Sequence, residues 1–119
     1  MININRNTKN IILQYLKDGI SLAELGCGKG DLINSIAAFG YYFKKLVAID
    51  FYSDPKDLNP RIEFIKQDLE NFSVPDKFDI VILKHVLEHI KNPIGLIKNI
   101  KKHLNKFGKI IIVVPNRKG

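Results

Sequence analysis

The sequence predicts an α/β fold, a doubly wound and mostly parallel sheet of five strands with flanking helices. Two observations lead to this prediction: five short apolar runs that are nearly continuous in Ile, Val and Leu, and helical patterns that lie between them. Continuous apolar runs are typical of strands covered on both faces in a parallel sheet, and alternating strands and helices indicate a doubly wound order. Residues 1–119 are expected to form a single domain.

The predicted elements alternate along most of the chain. Strands are predicted over residues 20–25, 46–50, 62–66, 78–83 and 109–114, and helices over residues 5–18, 31–39 and 93–107. Asn92 and Pro93 suit the N-cap and the first turn of the last helix. Prolines discourage full helices in the segments 51–60 and 67–77, so loops are expected there.

Composition indicates a protein without a membrane span or a disulfide. The longest uninterrupted apolar run covers only residues 110–114, whereas a membrane helix needs roughly 20 residues. The polar start "MININRNTKN" lacks the apolar region of a signal peptide. A single cysteine, Cys27, excludes an internal disulfide and a Cys-rich zinc site. We therefore expect a soluble, cytoplasmic protein with no membrane partner.

The formal net charge of +7 permits attraction to nucleic acid or to another anionic surface. Only the charge favours such a partner, and base composition can account for the charge. Lys, Ile and Asn are all heavily used, as an AT-rich genome would produce. A cluster of lysines near the end of the chain is typical of a solvated helix face; it comprises Lys98, Lys101, Lys102, Lys106 and Lys109.

Three glycines in the stretch "ELGCGKG" follow the first predicted strand. In a doubly wound fold, ligands bind beyond the carboxyl ends of the strands, where a strand turns into the next helix. Gly26, Gly28 and Gly30 allow positive φ there and let a ligand approach the backbone. Asp50 ends the second strand, 20 residues after Gly30, where an acid can accept both ribose hydroxyls. An adenosine-containing ligand is expected; the alternative is a tight turn, with Asp50 capping the one that follows.

Charge and spacing around the loop distinguish among adenosine ligands. A dinucleotide fingerprint, G-x-G-x-x-G, would put its third glycine at position 31, which is Asp31. Pyrophosphate favours the positive end of a helix, but Glu24 and Asp31 would repel it. These carboxylates suit a ligand that carries an ammonium and a sulfonium. A phosphate-binding Gly-Lys-Ser/Thr sequence is absent. An NAD-dependent oxidoreductase is thus disfavoured, although it stays an alternative.

Five stretches in order resemble the class I S-adenosylmethionine-dependent methyltransferases of the small-molecule type. "ELGCGKG" resembles their first motif, E/D-x-G-x-G-x-G, and "VAID" the second strand with its acid. "IEFIKQDLEN" resembles the third strand, "FDIVILKHVLEHIKNP" the fourth, and "LIKNIKKHLNKFGKIIIVVPN" the next helix and the fifth strand. The resemblance covers residues 20–116.

This resemblance implies a Rossmann-like sheet in the order 3-2-1-4-5, S-adenosylmethionine as cofactor and S-adenosylhomocysteine as product. It places Asp50 and Phe51 at ribose and adenine, and Lys84 and His85 near the reactive methyl. No metal is implied. The cofactor-binding residues implied are Glu24, Gly26, Cys27, Gly28 and Gly30 of the first motif, where Gly26 to Gly28 line the methionine moiety, together with Asp50, Phe51, Asp68 at adenine with Leu69 beside it, Lys84 and His85.

The stretch "HVLEH" invites two functional interpretations. It matches the H-x-x-E-H pattern of one zinc protease group, but a zinc site needs a third ligand and a long helix, and we expect only a turn. His85 or His89 is a candidate general base toward an acceptor; the alternative is a polar residue that caps the turn. We expect His103 to be exposed, and Cys27 to be a small loop residue rather than a nucleophile.

The family continues with two more strands after its fifth, and this sequence stops before them. The fifth strand would then be an apolar edge, so we expect self-association through residues 109–114. Three functions stay open: methyl transfer to a small-molecule or exposed acceptor, a catalytically incomplete cofactor-binding module that acts through a partner subunit, and NAD-dependent oxidoreduction. The acceptor motif of amino-methylating DNA enzymes, D/N-P-P-Y, is absent, with "LKHV" in its place.

Overall fold

A computed structural model describes the chain at residues 2–3, by their backbone, and at residues 8–115. The strands are β1 (Ile2–Asn3), β2 (Ile20–Leu25), β3 (Phe43–Asp50), β4 (Ile62–Lys66), β5 (Phe78–Lys84) and β6 (Leu104–Val114). The helices are α1 (Thr8–Leu13), α2 (Asp31–Ala37) and α3 (Pro93–Lys102), and a 3₁₀ turn covers Leu87–His89.

The strands form one sheet in the order β1-β6-β5-β2-β3-β4, and every neighbouring pair is parallel. The five longer strands have the predicted order 3-2-1-4-5, which is confirmed. The predicted number of strands was short by one, because β1 adds a two-residue strand beside Val113 and Val114 of β6. A strand of two residues has no apolar pattern that a sequence could display.

Both faces of the sheet are buried, as the continuous apolar runs predicted. Every residue of β2 is buried, and successive side chains of a strand point to opposite faces. Leu22 packs in a cluster with residues of α1 and α2, whereas Leu25 packs in a second cluster with residues of α3. Glu24 shares the face of Leu22, so its carboxyl group is enclosed beneath α2.

All three predicted helices end earlier in the structure: the helix 5–18 ends at Leu13 of α1, and the helix 31–39 ends at Ala37 of α2. The predicted helix 93–107 ends at Lys102, because Leu104 already pairs with Phe78 of β5. The predicted helix 5–18 is described only as α1, and its residues 5–7 lie outside the described residues. The predicted cap is confirmed, since the Gly95 N–H donates to Asn92 Oδ1 at 3.0 Å. The segments 51–60 and 67–77 contain no helix, as predicted.

The predicted lysine face is divided between two elements. Lys98, Lys101 and Lys102 are exposed on α3, whereas Lys106 and Lys109 are exposed on β6. His103 was predicted to be exposed and is buried, with 8% of its surface accessible. None of the helices in residues 8–115 has the length and apolar character needed to cross a membrane.

Candidate functional site

A cleft of about 320 Å³ opens at the carboxyl ends of β2, β3 and β5. It brings together seven of the predicted site residues: Gly26, Asp50, Phe51, Asp68, Leu69, His85 and His89. The other predicted residues do not line it; they are Glu24, Cys27, Gly28, Gly30 and Lys84, at the strand ends and in the loop beside it. The sequence analysis missed five lining residues: Tyr52, Ser53, Glu70, Val86 and Ile90. Each lies within two residues of a predicted residue, and this nearness in the sequence was the one available signal.

The glycine loop is tied to the neighbouring strand. The Gly26 N–H donates to the Ile49 carbonyl oxygen at 2.7 Å, and a Cβ at Gly26 would lie 2.5 Å from Cγ2 of Val86. Gly28 has a φ of 57°, and a Cβ there would meet nothing within 4 Å. Gly26 is therefore required for packing, whereas Gly28 leaves open space beside its backbone.

Asp50 connects the loop to the end of β3. Its Oδ2 accepts from the Gly28 N–H at 2.9 Å, and its Oδ1 accepts from the Tyr52 N–H at 2.8 Å. The side chain caps the following turn, as the alternative interpretation proposed. Each carboxylate oxygen has a further acceptor site, so Asp50 retains the capacity to bind a pair of hydroxyl groups.

Glu24 is an acid with an unfilled hydrogen-bond site. It is only 2% exposed, and its Oε1 has no partner among the described residues. Burial, reinforced by the charges of Asp50 and Asp31, raises the pKa of Glu24 to about 8, although Lys84 and the backbone of Ile33 oppose this rise. A buried acceptor without a partner is costly, so the position favours a ligand that brings a positively charged donor.

Two segments form walls of the cleft. After β4, the Asp68 carboxylate accepts from the Glu70 N–H at 2.9 Å and the Asp68 carbonyl accepts from the Asn71 N–H at 3.1 Å, which makes a tight turn. After β3, the rings of Phe51 and Tyr52 stand edge to face, with centroids 5.1 Å apart. The exposed aromatic surface and the turn can enclose a flat, partly polar group such as a purine.

The histidines lie on a short turn and not on a long helix. His85 has a φ of 56°, and its N–H donates to the Val113 carbonyl oxygen at 2.8 Å, which anchors the turn to β6. The His89 ring lies 3.9 Å from the Glu88 carboxylate. Both histidines are exposed to the cleft. Within the described ranges, no group of three or more His, Cys, Asp or Glu side chains could hold a metal ion.

Cys27 has the environment of a packing residue. It is 7% exposed, and burial, followed by the charges of Glu24 and Asp50, raises the pKa of its thiol to about 12. The thiolate, and not the thiol, is the nucleophile. Cys27 is therefore protonated at neutral pH, which agrees with the prediction that it fills space in the loop.

Two larger cavities, of about 440 and 600 Å³, lie at the amino ends of the strands. Lysines are prominent in their lining: Lys17, Lys106 and Lys109 in one, and Lys44, Lys45 and Lys77 in the other. Neither contains a residue of the glycine loop. Because ligands of open α/β sheets bind beyond the carboxyl ends of the strands, the smaller cleft is the candidate site.

Comparison with known families decides the classification. Residues 3–119 match a family model described as a methyltransferase domain. The chain belongs to this methyltransferase domain family. Its fold agrees with solved methyltransferase structures: a coclaurine N-methyltransferase bound to N-methylheliamine and SAH has a TM-score of 0.78 at 21% identity, with 88% of this chain and 34% of that one covered.

Other similar proteins are also methyltransferases. A glycopeptide N-methyltransferase complexed with (S)-adenosyl-L-homocysteine has a TM-score of 0.74 at 17% identity, with 89% of this chain and 47% of that one covered. The ubiquinone biosynthesis O-methyltransferase of Rickettsia akari is 27% identical over 103 residues. That alignment covers 82% of this chain but only 41% of the Rickettsia protein. The chain therefore spans less than half the length of this relative.

Proposed function

We propose that this methyltransferase domain binds S-adenosylmethionine in the cleft and transfers its methyl group to a small molecule or another exposed acceptor, releasing S-adenosylhomocysteine. The observation that carries the proposal is the buried carboxyl oxygen of Glu24, which has no partner within residues 8–115, beside the open glycine loop. It favours a cationic ligand over a phosphate. The names of the similar proteins, which are O- and N-methyltransferases, support the same class of reaction.

The residues of the cleft suit the separate parts of this cofactor. Asp50 would accept the ribose hydroxyls, and the open backbone at Gly28 would admit the methionine chain. Glu24 would face the ammonium group, where a positive donor fills its free acceptor. The adenine would lie between Phe51 and the turn of Asp68 and Leu69, which supply apolar surface and a carboxylate.

The chain contributes mainly position and exclusion of water, which can account for most of the acceleration of an in-line displacement. When bound, S-adenosylmethionine supplies an electrophilic methyl group on a positively charged sulfur. An acceptor hydroxyl or amine must lose a proton as it gains the methyl group. His85 and His89 are candidates to take that proton, since both are exposed on the cleft and a neutral imidazole nitrogen can accept a proton.

A turnover assay with a matched pair of variants tests the proposal. The chain is incubated with S-adenosylmethionine and a panel of small phenols and amines, S-adenosylhomocysteine is quantified by mass spectrometry, and cofactor affinity is measured by titration calorimetry. Asp50→Asn should weaken cofactor binding by about 1 to 3 kcal/mol, because a charged acceptor is lost. Asp54→Asn is the control, since Asp54 is exposed and pairs only with Lys66 among its described contacts.

Each outcome of this assay has a distinct meaning. Turnover that falls with Asp50→Asn and not with Asp54→Asn supports methyl transfer in this cleft. Cofactor binding without turnover across the panel favours the cofactor-binding module that acts through a partner subunit. Equal affinities of the two variants for the cofactor would remove Asp50 from the binding site.

A further inference from the structure

The segment 67–77 forms one wall of the cleft without any helix or strand of its own. Such a wall must be held by side-chain contacts, because irregular segments with few contacts open readily. Two hydrogen bonds of the Gln67 side chain join the ends of residues 67–73 into a closed loop. The Ser73 N–H donates to Gln67 Oε1 at 2.8 Å, and Gln67 Nε2 donates to the Ser73 carbonyl oxygen at 3.2 Å. Asp68, Leu69 and Glu70 project from this closed loop to line the cleft.

The end of α3 holds the second part of the segment. Asn99 Nδ2 donates to the Phe72 carbonyl oxygen at 2.9 Å. The His103 ring has Nδ1 at 2.8 Å from the Asn99 carbonyl oxygen, and its Nε2 accepts from the Val74 N–H at 3.4 Å. The Phe72 ring, 2% exposed, packs on the His103 ring with centroids 4.5 Å apart.

The partners of His103 determine its tautomer. A carbonyl oxygen can only accept a hydrogen bond, so Nδ1 must carry the hydrogen that points at Asn99. Neutral imidazole then has its lone pair on Nε2, where the Val74 N–H requires an acceptor. One buried ring thus joins α3 to the backbone of the wall segment through both nitrogens. No apolar residue of the same size can make these two bonds.

We propose that His103 is a positioning residue for the cofactor: it fixes residues 72–74, and through them the cleft wall formed by Asp68 and Leu69. The inference rests on the proposed function, because the wall matters only if the cleft binds the nucleoside. His103 itself does not line the cleft. It acts by keeping the wall in the conformation that binds the ligand. If only a fraction of the molecules has that conformation, the apparent affinity for the ligand is reduced in proportion to that fraction.

The test compares variants that separate packing from hydrogen bonding. His103→Leu retains apolar contact with Phe72 and loses both bonds, whereas His103→Gln retains an acceptor that can reach Val74. Asn99→Ala removes the bond to the Phe72 carbonyl at a half-buried helix position. Ile12→Val is the control, because it removes one buried methyl group from the core on the opposite face of the sheet.

Two measurements are made on each variant: titration calorimetry with S-adenosylhomocysteine, and amide hydrogen exchange of the chain without ligand. His103→Leu and Asn99→Ala should weaken binding about three- to tenfold, which corresponds to the loss of one or two hydrogen bonds. Their faster exchange should be confined to residues 67–77. His103→Gln should recover most of the affinity, and Ile12→Val should leave it unchanged.

The failures are distinguishable from one another. If the unaltered chain does not bind S-adenosylhomocysteine, both the proposed function and this inference are wrong. If it binds, and both His103→Leu and Asn99→Ala bind within twofold of it, the inference alone is wrong. Faster exchange spread evenly over the whole chain in these variants would also overturn it, because His103 would then support only global stability.

Discussion

Glu24 and Asp50 are both buried acids at the ends of neighbouring strands, but their surroundings differ. Asp50 accepts two backbone N–H groups, whereas one oxygen of Glu24 has no partner among the described residues. An ionised carboxyl without enough donors is unfavourable in a low dielectric. Asp50 is therefore held in place to bind hydroxyl groups, whereas Glu24 is the acid that a cationic ligand would stabilise more.

The raised pKa of Glu24 predicts a stability that declines with rising pH. Its pKa is about 8 in the folded chain against an ordinary value of 4.5, so between these values the folded state binds more protons than the unfolded state. The free energy of unfolding then falls as pH rises through this window. In the unaltered chain this fall amounts to roughly 3 to 5 kcal/mol in the free energy of unfolding, and Glu24→Gln should abolish it.

Thermal unfolding of both proteins without ligand, from about pH 5 to about pH 9, measures this difference. Parallel curves for the two proteins would show that Glu24 is ionised over the whole range. Asp79→Asn is a useful reference, since Asp79 is an acid engaged by the Ser21 N–H at 2.8 Å at the other end of the sheet.

Residues in the glycine motif were predictable from sequence because their spacing reflects backbone constraints that are local. His103 was not, and the reason is physical. The two residues before it are lysines, which indicate an exposed helix face, whereas its burial depends on Phe72 and Val74, about thirty residues earlier in the chain. A single sequence does not display a contact of that kind.

At the scale of elements, Gly26 and Gly28 have different structural roles in the loop after β2. Gly26 has no room for a side chain, because Val86 packs against it. Gly28 has room, and Asp50 holds its N–H. Substitution at Gly26 therefore tests packing, whereas substitution at Gly28 tests the space that the proposed methionine chain needs.

Gly28→Ala should affect binding more than folding. At a φ of 57° an alanine costs about 1 to 2 kcal/mol of stability, and its methyl group would enter the proposed ligand space and lower affinity for S-adenosylhomocysteine at least about tenfold. Gly19→Ala is a matched control, because its φ is 86° and a Cβ there also meets nothing within 4 Å. Urea unfolding and calorimetry are measured for both. Equal affinities of the two variants would place the ligand away from the loop.

The success of the fold prediction varied with the length of each element. The five longer strands were found because strands covered on both faces must be apolar along their whole length. β1 was not found, since its pairing with Val113 and Val114 depends on two residues. The end of α3 was overestimated by five residues, from 102 to 107, because the apolar spacing continues into β6.

At the scale of the whole molecule, the edge of the sheet at β6 is covered only in part. In the described part of the chain, β1 pairs with Val113 and Val114, and the remaining length of β6 has a partner strand only on the side of β5. A long apolar strand with unpaired backbone groups is a template for pairing with another chain. The predicted self-association through residues 109–114 therefore has fewer backbone groups available to it than the sequence indicated.

Sedimentation velocity over a range of concentrations tests this self-association. We expect a concentration-dependent shift from monomer to dimer, because edge pairing of two short strands gives weak association. Ile110→Lys, which adds a charge to the free part of the edge, should move the shift to higher concentration. A monomer at every concentration would contradict the expectation.

The most direct test of the central claim, that the cleft selects a sulfur nucleoside that carries an ammonium group, is a pair of calorimetric titrations on the unaltered chain. One titration uses S-adenosylhomocysteine, and the other uses NAD. The account predicts saturable binding of S-adenosylhomocysteine at one site and no measurable binding of NAD, because the Asp31 carboxylate in the first turn of α2 repels a pyrophosphate. Saturable binding of NAD, or no binding of S-adenosylhomocysteine, would contradict it.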